Sequence, residues 1–401
     1  MKRFWLIVAA GSLVALAGCH SFKKENIQPP TPLDKKFQPT VQTTKVWSTR
    51  VGHGAGNSGV RMQPAVVDGV IYAASTDGVI GAYDAATGKT IWEKKQRTHS
   101  WFGLGWGDKN RPDAVYAGGP SVSGDVLVVG TLNGHVFALN TKDGSERWHV
   151  ALPSEVIDGP TITGDLILVR TQDGRVYGLD SSNGDRRWVN DQGNVPLLSL
   201  RGNGPLLAAN GVIFFGSDDG KLIALRQDNG DKLWEQKLAS GEGRTDIERM
   251  NDADGGVLLD GTSLYAAAYH GSLTAIDGPS GRPLWARPFS TYTSVAINGN
   301  SLFAANEESQ VWAFDKSTGA DMWKSDSLRY RWLTAPAAQG DYIVLGDIEG
   351  YVHWLQTSDG ALAGRQRLSK KAIRAQPVVV GDMAYVIDVQ GHLVAYRLGA
   401  K

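Results

Sequence analysis

The chain has 401 residues, of which 49 are Gly, 13 are Trp and one is Cys, and its 41 basic side chains equal its 41 acidic ones. A lone Cys excludes an internal disulfide framework, and the balanced charge gives nucleic-acid binding no electrostatic footing. The length alone is compatible with two or three ordinary domains or with one large all-β unit.

Residues 1–18 place Lys2 and Arg3 ahead of an apolar run that ends in small residues, the layout of a secretory signal rather than of a membrane span. The end of that run, Leu16-Ala17-Gly18-Cys19, resembles the lipobox of bacterial lipoproteins. The resemblance implies that Cys19 carries lipid and becomes the mature N terminus. His20 follows where Asp would resemble the inner-membrane retention signal, which points to the periplasmic face of the outer membrane. Removing residues 1–18 takes away Lys2 and Arg3 and no acid, so the mature chain has a formal charge of −2. Residues 19–43 are poor in apolar side chains and contain Pro29, Pro30, Pro32 and Pro39, so they read as an extended tether of at most about 3.3 to 3.6 Å per residue.

From residue 44 onward the sequence repeats. A pattern ends at Trp92, Trp148, Trp188, Trp234, Trp285 and Trp323, and again at Gly364, where the Trp is missing. A Gly stands four residues before each of these ends, from Gly88 and Gly144 through to Gly360. An eighth copy begins at Pro377 and runs out of chain before its last strand. Within the first copy, strands are expected near 64–67, 70–75, 79–84 and 90–94, separated by Asp68-Gly69, Asp77-Gly78 and Ala86-Thr87-Gly88 turns. Four strands repeated eight times predict an all-β, eight-bladed propeller over 44–401. The strand-like segment 44–51 has a Trp and no copy of its own, so it is expected to complete the last blade and close the ring.

The recurrent motif of "AYDAATGKTIW" reads as structural hardware. Asp84 recurs as Asn140, Asp180, Asp277 and Asp315, where a side-chain oxygen can anchor the following turn. The Trp is placed to bury its flat ring against the next blade. The position of Ala82 is small in most copies and is expected to let sheets approach closely. The motif resembles the tryptophan-docking repeat of the quinoprotein dehydrogenases, which bind pyrroloquinoline quinone. That resemblance implies the fold, but eight blades and a tether nearly consume the chain and leave little to build a cofactor lid. The eight His residues are scattered, and neither a nucleophile elbow nor a phosphate loop is present, so no catalytic residue, metal or cofactor is expected.

Long insertions fall on one side of the ring, at residues 93–119, 189–204 and 235–255. The last two flank a single blade. In "VPLLSLR", Leu197, Leu198 and Leu200 precede Arg201, either tucked against the blade or exposed as apolar anchors beside a charge, the composition of an interface hot spot. Asp252 and Asp254 lie on the neighbouring loop, as an acidic rim or as ordinary solvated turn acids. Taken with the lipobox, the tether and the eight blades, "LLSLRGNG" closely resembles the BamB family, lipoproteins of the outer-membrane β-barrel assembly machinery. The resemblance implies a non-enzymatic scaffold whose Leu198, Leu200, Arg201, Asp252 and Asp254 dock the periplasmic POTRA domains of the central barrel protein. It also implies help in inserting unfolded outer-membrane proteins. A quinone-dependent dehydrogenase and a periplasmic binder of cell-wall polymer are the alternatives.

Overall fold

The computed structural model describes residues 28–96, 114–193, 196, 199–200, 204–239, 250–253 and 255–399. The described residues form 32 strands in eight four-stranded antiparallel sheets, the blades of a closed propeller. Seven sheets are built from consecutive strands. The eighth joins the N-terminal strand Thr43–Arg50 to the C-terminal strand His392–Leu398, with Thr43 opposite Leu398 and Arg50 opposite His392. The expected ring closure is therefore found, and it leaves no sheet with three strands.

Apolar alternation explains where each strand sits. The second and third strands of a blade, such as Val70–Ala74 and Val79–Asp84, are buried almost throughout, whereas the outer strand Thr90–Lys95 is largely exposed. Each outer strand would present an open edge, and in every blade it contains a β-bulge just before the Trp position. The bulge swings residues such as Ile91, Leu284 and Met322 outward into solvent. It also interrupts the straight hydrogen-bonding edge that another strand would need.

The Trp residues join blade to blade. Trp92 Nε1 donates to the Thr141 carbonyl of the next blade at 2.7 Å, Trp188 to Gln227 at 3.1 Å and Trp323 to Thr357 at 2.8 Å. Each ring lies on the turn glycine of its neighbour: a Cβ added at Gly184 would stand 2.6 Å from the Trp148 ring. That glycine also has φ +78°, a region L side chains avoid. The small residue at the Ala82 position faces the Trp across the same sheet, as in the pairs Ala82 with Trp92 and Gly178 with Trp188. It therefore makes room for the ring within its own blade, rather than for the neighbouring sheet as expected.

The missing Trp at Gly364 has a cause in the closure. Blade eight takes its outer strand from the N terminus, so it has no turn between third and fourth strands on which a Trp could dock. Blade seven reverses the pair, setting Trp354 opposite Gly364. Trp354 Nε1 donates to Gln339 at 2.8 Å, and Gln339 passes the link on to the Asp382 carbonyl of blade eight at 2.7 Å. The space beside Gly364 is filled by Val41 and Thr43, which would lie 3.0 and 3.3 Å from an added Cβ.

The turn anchors also take the expected form. Asp84 accepts the Thr87 N–H at 2.8 Å, and Asp315 accepts those of Ser317 and Thr318 at 3.0 and 2.9 Å. The bonds from Ser317 and Thr318 hold the Asp315 carboxyl down at about 2.

The segment ahead of the first strand differs from a free tether over its described part. The Thr31 N–H donates to Arg329 O at 3.1 Å, Leu33 packs on the core between blades six and seven, and Arg365 donates to Asp34 O at 2.7 Å. Thr40 N–H then reaches Ala363 O on the outer strand of blade seven at 2.8 Å. Residues 31–41 thus form an arm laid along blade seven, where backbone groups that have no strand partner of their own find donors and acceptors on that blade and on the link before it.

Replacing Trp188 by Ala should lower the unfolding free energy by about 3–5 kcal/mol, the usual cost of emptying a large aromatic site. Placing Trp at Gly364 should also destabilise, because Val41 and Thr43 already occupy that volume. Denaturant titration of both variants checks the pair; a neutral Gly364→Trp would show that the closure seam does not need its glycine.

Candidate docking face

The turn between the second and third strands of each blade meets the link to the next blade on one face of the ring. Backbone bonds fix this meeting, for example Gln96 N–H to Gly78 O at 2.8 Å and Leu238 N–H to Gly220 O at 2.8 Å. Blade four is flanked on that face by the two insertions around residues 200 and 250. Residues 250–253 cross from blade four to blade five: Ala253 N–H donates to Ser217 O at 3.1 Å, and Asp252 O accepts from Tyr269 N–H at 2.8 Å. The crossing is so close that a Cβ at Gly216 would overlap the Ala253 carbonyl oxygen at 1.8 Å.

Leu200 and Asp252 come together as the sequence implied. The Leu200 N–H donates to the Asp252 carboxylate, and the Leu200 side chain is half-buried. The expected rim character of Asp252 is not found, since its exposure is 0%. Its position in sequence suggests a solvated turn acid, but the backbone bonds on either side draw it under the neighbouring loop, where it becomes the acceptor that ties the two insertions together. Cys19, Leu198, Arg201 and Asp254 lie outside the described residues, as do Trp101 and Trp106.

A second element of this face escaped sequence reasoning. Arg170 ends the second strand of blade three, where other copies carry Ala74, Gly130 or Ala267. It is buried, donates to Gly216 O at 2.8 Å and to Asp218 at 2.6 Å, and lies 5.7 Å from the Phe215 ring centroid. Its break with the repeat was the available signal. Arg170, Pro196, Phe215 and Asp218 line a cavity of about 220 Å³ between blades three and four. Lys221 and Glu235 also border it; the Lys221 pKa is raised by the bond to Asp219, and the Glu235 pKa is lowered by the bond from Lys232. The cavity wall is thus charged but internally paired, a surface that positions loops more readily than it performs chemistry.

Another bond joins links far apart in the ring. Arg61, on the link into blade one, donates to the Tyr292 carbonyl at 3.1 Å on the link between blades five and six. Among the described residues no group of three or more His, Cys, Asp or Glu side chains is arranged to hold a metal.

The fold and this face define a class: a closed eight-bladed propeller whose loops over one blade are joined on one face. The model of the family described as outer membrane protein assembly factor BamB matches residues 41–105, 103–325 and 318–399. The chain is 44% identical to the outer membrane protein assembly factor BamB of Xanthomonas campestris pv. campestris, over 99% of this chain and 98% of that one. The crystal structure of BamB from Moraxella catarrhalis superposes with a TM-score of 0.78 at 27% identity, covering 89% of this chain and all of that one. A quinohemoprotein alcohol dehydrogenase from Comamonas testosteroni reaches a TM-score of 0.70 at 14% identity over 90% of this chain and 77% of its own, a likeness of fold alone. The chain belongs to the BamB family of outer membrane protein assembly factors, and its work is assembly rather than catalysis.

Replacing Asp252 by Ala should leave the Leu200 N–H without its acceptor and cost roughly 1–3 kcal/mol locally. The expected result is faster hydrogen exchange at the Leu200 amide with the blade amides still protected. Unchanged exchange at Leu200 would show that the two insertions do not depend on this bond.

Proposed function

We propose that the protein is a lipid-anchored scaffold that docks the POTRA domains of the central barrel-assembly protein through the loops flanking blade four. The observation that carries this reading is the bond between Leu200 and Asp252. It joins the two interblade excursions that flank blade four on that face, in a chain whose family assembles outer-membrane proteins. Leu198, Leu200 and Arg201 supply an apolar anchor with a charge beside it, the composition that dominates interface energetics. Asp252 acts from beneath by holding the loop, and Asp254 supplies charge on the neighbouring excursion. Unfolded outer-membrane proteins are the proposed cargo of the resulting complex, and Cys19 carries the lipid that keeps the scaffold on the periplasmic face of the outer membrane.

A double substitution, Leu200→Ala with Arg201→Ala, should weaken binding to the purified POTRA domains by roughly thirtyfold or more, since a dominant interface residue typically contributes about 2 kcal/mol. Circular dichroism should remain that of the parent chain, because no blade core position changes. Binding at full strength would move the interface away from blade four.

Cys19→Ser should shift the protein from the membrane to the soluble periplasmic fraction or leave its signal uncleaved, because the acyl chains are the proposed attachment. Fractionation together with intact mass checks this. Membrane attachment at an unchanged N-terminal mass would remove the lipid anchor from the reading.

A further inference from the structure

The face of the ring bears a second feature, across from blade four. Between blades six and seven the chain reads Arg329-Tyr330-Arg331-Trp332, and Tyr330 and Trp332 have φ of +60° and +51°. Bulky side chains rarely adopt this region, so the surroundings must hold them there. Arg331 does the holding. It is 1% exposed, donates to the Asp347 carboxylate at 2.8 Å and to Thr31 O at 2.7 Å, and pairs with Glu349. The Asp347 carboxyl is also bound by His353 at 2.9 Å, so the cluster is fixed from three elements. The outcome is that Trp332 stands 55% exposed on a backbone that does not relax to bury it.

The adjacent link, residues 368–376, carries Lys370, Lys371 and Arg374, all exposed, and no acid. It touches the same cluster through Ile373, whose N–H donates to Asp347 O at 2.9 Å, while the turn that carries Asp347 is tied to the strap by Ile348 N–H donating to Arg331 O at 3.1 Å. The acids of this neighbourhood, Glu308 and Glu349, are already paired with Arg329 and Arg331, which leaves an exposed indole and three exposed cations, the composition of a surface that meets an anionic bilayer, the ring entering the headgroup region and the cations facing lipid phosphates. The arm fixes where such a bilayer would be. Thr31 is bonded to Arg329 and Arg331 within the same strap, and only twelve residues separate it from Cys19, at most about 40 Å of chain.

We propose that the Trp332 face of blade seven, with Lys370, Lys371 and Arg374, is a membrane-facing surface that seats on an anionic phospholipid bilayer when the chain is anchored. The proposal rests on the lipid-anchor reading of Cys19. In it the docked arm shortens the leash and delivers this one sector of the ring to the membrane, while blade four, on the other side of the ring, is left for its partner.

The test uses the full lipidated chain in vesicles of phosphatidylethanolamine with a minority of phosphatidylglycerol and a trace of headgroup nitroxide lipid. The chain has one Cys, which the lipid occupies, so Lys371→Cys introduces a single thiol for a fluorophore, and Lys142→Cys labels a turn on the opposite face. Quenching should be several-fold stronger at position 371 than at 142. It should fall when phosphatidylcholine replaces the anionic lipid or when salt is raised. Adding Trp332→Ala and Lys370→Glu should bring position 371 to the level of 142, with circular dichroism unchanged. Equal quenching at the two positions in a chain that sediments with vesicles overturns the proposal alone, and leaves Trp332 as a site for a protein partner. A chain that does not sediment overturns both the proposal and the anchor reading.

Discussion

The contact on which this molecule depends is a tryptophan ring laid on the turn glycine of the next blade. It combines three demands that only this residue pair satisfies together. The ring covers the interblade seam with a large apolar surface. The indole N–H satisfies a turn carbonyl that would otherwise be left under the ring. The glycine takes a positive φ and presents no Cβ where the ring must lie. Because the contact recurs at seven of the eight seams, neighbouring blades are held at one spacing, and the loops above them inherit fixed positions.

The eighth seam shows how far this constraint reaches. A propeller closed by its own N-terminal strand must lose one turn, and the loss removes a docking glycine. The chain compensates with a reversed pair, Trp354 and Gly364, and with Gln339 as a relay to blade eight. The arm of residues 31–41 belongs to the same solution. Val41 enters the space left by the absent ring, and the rest of the arm follows blade seven because that seam has surface to cover. An irregularity in the repeat thus becomes the place where the N-terminal segment attaches.

The ring was legible from sequence because its information is local and repeated. Turn glycines, alternating strands and a Trp at constant spacing each report a short-range requirement, and Asp84 or Asp315 two or three residues before a turn can be read without knowing any distant partner. The site was legible only in outline. Leu200 and Asp252 stand on loops that flank one blade, which topology reveals, but the burial of Asp252 depends on backbone bonds from Ala253 to Ser217 and from Asp252 to Tyr269 that no periodicity encodes. Arg170 and Arg331 were missed for a related reason: each is a buried charged residue whose partners, in the next blade for Arg170 and on the following turn and the N-terminal arm for Arg331, lie at separations that a repeat does not specify. The arm was the furthest from view, since Pro-rich, weakly apolar sequence has the composition of a tether, and what docks it is a few single contacts, Leu33 and Val41 on the core and backbone bonds to Arg329, Arg331, Ala363 and Arg365, that no periodicity announces.

A scaffold of this kind acts by holding surfaces at a fixed separation. The docked Trp rings tie blade to blade, so the loop over blade four and the strap that binds Thr31 sit on one continuous closed ring. On the proposed reading, one sector of the face is delivered to the bilayer by a short leash and the other receives the barrel-assembly partner. Both partners then lie on one membrane, and association becomes a problem of effective concentration rather than of free diffusion. A long flexible tether would dilute that advantage, whereas an arm docked as far as Thr31 retains it. On that reading the Arg331 cluster is more than local support for an exposed indole: by fixing Thr31 it sets the length of chain between the proposed anchor and the ring, and so couples the packing of one seam to the orientation of the whole propeller.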